Sequence, residues 1–263
     1  VADWSFGIIF AVHLEPSGSS YRGTAERFIT AAPLPVTDLV VNPVDGAMYF
    51  TIGGRRTQSG LYRVTYTGNE SIRPDDGRSK AGARLRTRRR RLEAMHRPGS
   101  PEVIERAWRD LSHQDRHIRF AARVAVEHQP VERWQERALA ERDPLALVTA
   151  SIALARNGDA SLKPRLIAAL GRLKIKRLSE EQQLGLLRAY GLVSLRMGKP
   201  EGKQRAAIVK HVDALYPNVS PRLNRELCQL LAWLEAHGVV PRTLSLLKAA
   251  STQEEQMHYV LVL

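Results

Sequence analysis

The stretch D-R-H-I-R-F-A-A-R-V-A-V-E, residues 115–127, decides how most of this chain folds. Ile118, Ala121, Ala122 and Ala125 recur at spacings of three and four, which puts them on one face of a helix. Asp115 stands just ahead of that run, where a carboxylate can accept hydrogen bonds from the free amides of the first turn. A helix with one apolar face needs neighbours to cover it, and the sequence on either side supplies them.

The same period begins at Pro101, where P-E-V-I-E-R-A-W-R-D-L places Val103, Ile104, Ala107, Trp108 and Leu111 together. Further starts are marked by Asp143 before Pro144, and by the capping-box pairs Ser179 with Gln182 and Thr252 with Glu255. Gly198 followed by Pro200, and Gly238 followed by Pro241, read as stops. The pattern predicts about ten helices in pairs: 101–112 with 116–128, 131–141 with 144–157, 160–174 with 180–197, 202–215 with 221–237, and 241–250 with 253 onward. D-P-L-A-L-V-T-A-S-I-A-L-A (143–155) is apolar nearly all round, as a helix packed between neighbours must be. Helix pairs of this length with short links point to an α-solenoid.

Upstream the period is two. F-G-I-I-F-A-V-H-L-E (6–15), Y-R-G-T-A-E-R-F-I-T (21–30), P-L-P-V-T-D-L-V-V-N-P (33–43), G-A-M-Y-F-T-I-G-G (46–54) and G-L-Y-R-V-T-Y (60–66) read as short strands joined by turn formers. Asp45-Gly46 is the clearest hairpin signal. The expectation is one antiparallel sheet, and a single sheet with two apolar faces needs a neighbour, as the blade of a propeller does.

Composition agrees with a globular chain: of 263 residues, 43% are hydrophobic and 25% charged. No apolar run approaches the roughly 18 residues that cross a bilayer, and no signal peptide opens the chain. The net charge of +13 is uneven. Residues 1–67 carry five basic and five acidic residues, whereas residues 72–97 carry ten basic against three acidic. Cys228 is the only cysteine, so these residues hold no disulfide, no cysteine-rich zinc site and no Cys-x-x-Cys-His haem attachment. Its apolar helical setting makes it a small core residue. The chain opens on Val1 and closes on H-Y-V-L-V-L inside a helical pattern, and we read it as an internal piece of a longer protein.

Asp115, Ile118, Arg119, Ala122 and Val126 fall on the D-x-x-V-R-x-x-A-x-x-x-L pattern of a HEAT repeat, which the segment resembles. The unit from Asp143 keeps Ala150 and Leu154 but has Leu147 at the arginine position. In the β part, D-W-S-F-G-I-I-F-A-V-H-L-E-P-S-G-S-S-Y, P-L-P-V-T-D-L-V-V-N-P-V-D-G-A-M-Y-F-T-I-G-G and G-L-Y-R-V-T-Y resemble the last blade of a glucose/sorbosone dehydrogenase-like β-propeller. A blade followed by HEAT-like helices is similar to large bacterial membrane-bound dehydrogenases that continue into a c-type haem domain. That resemblance implies an extracytoplasmic, periplasmic home, a quinone cofactor assembled by several blades, and a haem elsewhere in the parent, a sugar- or alcohol-dehydrogenase-like oxidoreductase. With one blade and no haem motif, it implies no cofactor and no catalytic residue within these residues.

Candidate contacts are few. Arg55, Arg56, Thr57 and Gln58 lie in a loop at one end of the blade, where guanidinium groups could pair with an anionic cofactor or substrate; the alternative is a solvated turn. Arg84, Arg86, Arg88, Arg89, Arg90 and Arg91 form a run able to bind polyanions, but no aromatic residue interleaves with them. Arg116, Arg119 and Arg123 make a basic stripe expected to be structural. His113 and His117 have the spacing of two metal ligands, yet Gln114 replaces the glutamate base of a zincin and Asp115 reads as a cap between them, so no metal is expected. His13, His211, His237 and His258 are isolated.

The fold class expected is therefore α+β and multidomain: residues 1–67 a propeller-blade-like antiparallel sheet, 68–100 a basic flexible linker, and 101–263 a HEAT-like α-solenoid. The expected role is a structural and protein-interaction scaffold within a dehydrogenase-like redox protein, whose partner is another protein or an adjacent domain held on the solenoid. A stand-alone protein-binding solenoid, or polyanion binding through the arginine run, are the alternatives, and nucleic acid is the less expected partner.

Overall fold

The computed structural model describes residues 1–72 and 79–263, and the chain divides into two compact units, Val1–Thr87 and Arg88–Leu263. The linker expected over 68–100 falls in part on residues 73–78, which lie outside the described residues.

The first unit is all β up to its end. Strands β1 (Ala2–Asp3), β2 (Ile8–Ser17) and β3 (Ser20–Thr30) form one antiparallel sheet, and β4 (Val36–Val41), β5 (Met48–Gly54) and β6 (Thr57–Val64) form another. This corrects the single sheet expected from the alternation. Between β3 and β4 the chain reads A-A-P-L-P, and neither Pro33 nor Pro35 has an amide hydrogen to donate to a ladder. Leu34, between them, instead turns into a shared core with Ile9, Val36, Phe50 and Ile52. The indole N–H of Trp4 donates to Gly53 O at 3.1 Å, tying the start of the chain to β5.

Two of the hairpins follow their turn chemistry. β2 and β3 pair from Ile8 with Thr30 to Ser17 with Ser20, turning through Gly18 at φ +58°. β4 and β5 join through Asn42–Ala47, and Gly46, at φ +67°, takes the left-handed conformation there. Asp45 fastens this turn: Oδ1 accepts from Ala47 N at 3.0 Å, and Oδ2 accepts from the Tyr49 hydroxyl at 2.9 Å and from Arg63 Nη2 at 3.1 Å. The Ala47 amide, with Tyr49 and Arg63, holds its carboxyl below the usual range against the opposing effect of burial.

Inside the expected linker lies a helix, α1 (Ala83–Glu93), and the unit boundary falls within it. Arginine is a good helix former, and this run has no glycine or proline to break it.

The second unit continues through α2 (Pro101–Trp108), α3 (Arg116–Glu127), α4 (Gln135–Ala140), α5 (Pro144–Asn157), α6 (Lys163–Gly171), α7 (Glu180–Arg196), α8 (Gly202–Val212), α9 (Pro221–Trp233), α10 (Val239–Ala249) and α11 (Gln253–Val262). The predicted caps are formed. Asp115 Oδ1 accepts from His117 N and Ile118 N at 2.9 and 3.2 Å, Asp143 Oδ1 from Ala146 N at 2.8 Å, and Ser179 and Gln182 bond reciprocally. Thr252 Oγ1 accepts from Glu255 N at 3.3 Å. Several helices are shorter than expected, and one junction is differently placed: α9 ends at Trp233, Glu235 takes φ +53°, and Pro241 lies inside α10 rather than beyond a stop.

Alternate helices stack. α3 packs on α5, α5 on α7, α7 on α9 and α9 on α11, while α4 packs on α6 and α6 on α8. Two layers result, and α5 is the most enclosed, with Ala146 through Ser151 and Ala153 through Ala155 all buried. That enclosure explains why its sequence lacks a polar face.

Candidate functional site

Arg55 and Arg56 form the tip of the β5–β6 hairpin, whose last pair is Gly54 with Thr57. Arg55, Arg56 and Gln58 are exposed and Thr57 is half-buried. Arg56 takes φ +64°, a left-handed conformation that costs an L side chain about 1–2 kcal/mol. Changing Arg56→Gly should therefore raise stability by about 1 kcal/mol, read as a higher denaturant midpoint at unchanged slope. An unchanged or lowered midpoint would mean that Arg56 makes a stabilising contact at this tip. The tip is a two-residue turn between Gly54 and Thr57.

The six arginines of the basic run are unequal. Arg86 is buried: it donates to Ala81 O at 2.8 Å and to Ser79 O, and its guanidinium lies 4.9 Å from the centre of the Tyr21 ring. Arg88 pairs with the buried Asp110 at 2.6 Å, and Arg89 with Glu93 at 3.0 Å. Arg84, Arg90 and Arg91 are exposed. Half of the proposed polyanion site is thus committed to internal contacts, for one physical reason: a helix spreads consecutive residues around its axis, so they cannot share one outward face.

Of the basic stripe on α3, Arg116 is exposed, and Arg119 and Arg123 make internal contacts. Arg119 donates to His113 O and Gln114 O at 2.6 and 2.8 Å, closing the turn that precedes its own helix. Arg123 lies over the Phe120 ring at 5.0 Å and bonds Glu127, which also accepts from Arg156 at 3.2 Å. Arg123 and Glu127 are nearly enclosed, with side chains 12% and 9% exposed. Burial pushes the Arg123 guanidinium down; Glu127 opposes this, while the like charges of Arg156 and Arg188 add to it.

Several histidines bond to nearby backbone or side-chain groups. His113 Nδ1 accepts from Asp115 N at 3.0 Å, and no cluster of three metal-ligating side chains occurs among the described residues. His211, read as isolated, bridges two elements. A carbonyl only accepts, so its Nε2–H donates to Leu173 O at 2.8 Å, and the Tyr190 hydroxyl donates to Nδ1 at 2.7 Å. Burial pushes the Tyr190 phenol far up, which keeps it a donor. Cys228 is buried against the Thr243 hydroxyl at 3.6 Å, as a core residue should be.

The feature that sequence reading missed lies between α7 and α9. Leu187, Gly191, Leu195, Leu230 and Trp233 line a groove of about 140 Å³, with Arg188, Glu226 and Gln229 on its walls. It runs into a second, more polar depression lined by Leu184, Arg188, Arg222, Arg225 and Glu226. Arg222 is held there by Glu180 and Glu181 at 3.5 and 2.9 Å. A usable signal was present, because a glycine inside a strong helical pattern such as E-E-Q-Q-L-G-L-L-R-A-Y-G-L-V-S-L-R often has a packing or functional reason.

The sequence matches no protein-family model, and neither curated proteins nor solved structures yield a match.

Proposed function

We propose that this chain is a structural and protein-interaction scaffold, belonging to an extracytoplasmic dehydrogenase-like redox protein, in which the helical unit is a HEAT-like α-solenoid and the β unit a propeller blade. The observation that carries the scaffold reading is the continuous stacking of α3, α5, α7, α9 and α11. In such an array each helix pair contacts mainly its neighbours, and the row of helices leaves an extended surface for a partner. The role of the residues in the dehydrogenase-like parent rests on the sequence resemblance. Quinone and c-type haem would belong to other parts of that parent, so no reaction step is assigned to these residues. Polyanion binding through α1 is the weaker reading, since Arg86, Arg88 and Arg89 are already engaged.

The test joins two measurements. Residues 1–263 alone, titrated with a quinone cofactor, should bind none stoichiometrically. A photo-cross-linking residue at Leu195 or Trp233, in the longer gene product, should capture a neighbouring domain or a partner protein. Stoichiometric quinone binding by these residues alone would overturn the reading, and so would cross-links that form no more often there than at Arg84 on α1.

A further inference from the structure

The α7–α9 groove combines three properties that seldom coincide on a surface with no partner. Its floor is open because Gly191 has no side chain, and a Cβ placed there would meet nothing within 4 Å. Its rim is apolar and exposed, with Leu195 71% and Trp233 39% exposed and the Lys199 ammonium 5.4 Å from the centre of the Trp233 ring. Its volume, about 140 Å³, is close to the roughly 150 Å³ that holds a benzene ring in an engineered apolar cavity, which is room for one bulky side chain.

Charge supplies the third property. Among the described residues Arg188 and Arg225 have no carboxylate within ion-pair distance, and Arg123 and Arg156 share Glu127. Of the charged groups at the groove and the depression beside it, Arg188 and Arg225 are thus unpaired against one unpaired carboxylate, Glu226, while Arg222 is held by Glu180 and Glu181. Arginine beside an exposed tryptophan in a concave site is the composition that dominates binding energy in protein interfaces.

We propose that this groove docks an acidic peptide segment of a partner protein. One bulky apolar side chain of that segment sits over Gly191 between Leu195 and Trp233, and its carboxylates engage Arg188 and Arg225, bidentately where geometry allows. The proposal rests on the reading of the helical unit as an interaction scaffold and adds the partner's chemistry. A nucleic-acid strand fits less well. Its charge is evenly spaced and would meet Glu226 in the wall, and the groove offers one aromatic side chain rather than the series on which successive bases stack.

A fluorescein-labelled peptide with a central tryptophan between runs of glutamate is the probe, read by anisotropy at low salt. The glutamate peptide should bind, and its lysine counterpart should bind at least about ten-fold more weakly. Gly191→Leu projects a side chain into the groove from a Cβ that meets nothing within 4 Å, and it improves helix propensity, so it should keep or raise the melting temperature while weakening the peptide by about ten-fold or more. Arg188→Glu, on an exposed position, should weaken it by a similar factor. Peptide affinity unchanged in both variants overturns the site while leaving the scaffold reading intact, because an acidic segment would then bind elsewhere on the unit. No binding by the unaltered chain also overturns it. So does an oligothymidine that displaces the peptide with the same loss in Arg188→Glu and none in Gly191→Leu, which would mark a general polyanion surface. Quinone binding, by contrast, would count against the scaffold reading itself.

Discussion

Changing Glu127→Gln should cost about 3–5 kcal/mol of stability, the usual price of leaving one member of a buried ion pair behind. Glu127 and Arg123 share α3 one turn apart, with side chains 9% and 12% exposed, and Arg156 reaches the same carboxylate from α5. The amide keeps the shape of the carboxylate and removes its charge. Arg123 then remains enclosed over Phe120, near the like charges of Arg156 and Arg188, with no counter-ion. Glu136→Gln is the internal control. Its pair with Arg165 is short, at 2.6 Å, but both side chains are more than half exposed, so screening should leave its midpoint nearly unchanged. Adding Arg123→Met to Glu127→Gln should recover most of the loss, since an apolar residue of similar length fills the site without a charge to solvate. Denaturant midpoints at constant slope measure all three. If Glu127→Gln costs no more than Glu136→Gln, the cluster is solvated in solution and the electrostatic argument fails.

What could be read in advance was local. Asp115, Asp143 and Ser179 cap helices because each bonds amides within three residues of itself, and such contacts follow from spacing alone. The helix pairs were legible for the same reason, up to the break after Trp233. There a non-glycine residue, Glu235, carries the left-handed conformation, and nothing in its identity announces that. The sheet division was signalled by Pro33 and Pro35, but alternation around them hid it. The arginine run showed its charge and concealed its helix, since Leu85 and Leu92 are its only apolar positions.

The groove was half legible. Arg188, Gly191 and Leu195 are spaced to share one face of a single helix, so the α7 side of the groove follows from spacing. Leu230 and Trp233 complete it from α9, and only the packing of α7 on α9 brings them there. The gathering of guanidinium groups is likewise a property of stacked helices. Arg123, Arg156 and Arg188 lie about thirty residues apart in sequence and become neighbours through the α3–α5–α7 layer.

Gln129 shows the same dependence on distant partners, and its replacement should be the second large effect. This residue, 3% exposed, follows the end of α3 and uses its whole carboxamide. Oε1 accepts from Gly99 N at 3.0 Å, and Nε2 donates to Arg97 O at 2.9 Å and to Ala125 O at 3.1 Å. The last bond satisfies a carbonyl that the final turn of α3 leaves open, and the other two fasten the segment ahead of α2. Its own carbonyl accepts from the indole of Trp134, which is fully buried. Gln129→Leu keeps a similar volume but strands one amide and two carbonyls. At about 1–3 kcal/mol for a buried group left unpaired, the Ala125 carbonyl carries most of the cost and water can reach the exposed Arg97 and Gly99, so the loss should be about 2 kcal/mol. Hydrogen exchange gives a local readout that a general loss of packing would not: the Gly99 amide should exchange much faster in the variant, while amides in the middle of α7 change only by the global loss. A Gly99 amide that stays protected to the same degree would show that its bond to Gln129 is replaceable, and the predicted cost would fall with it.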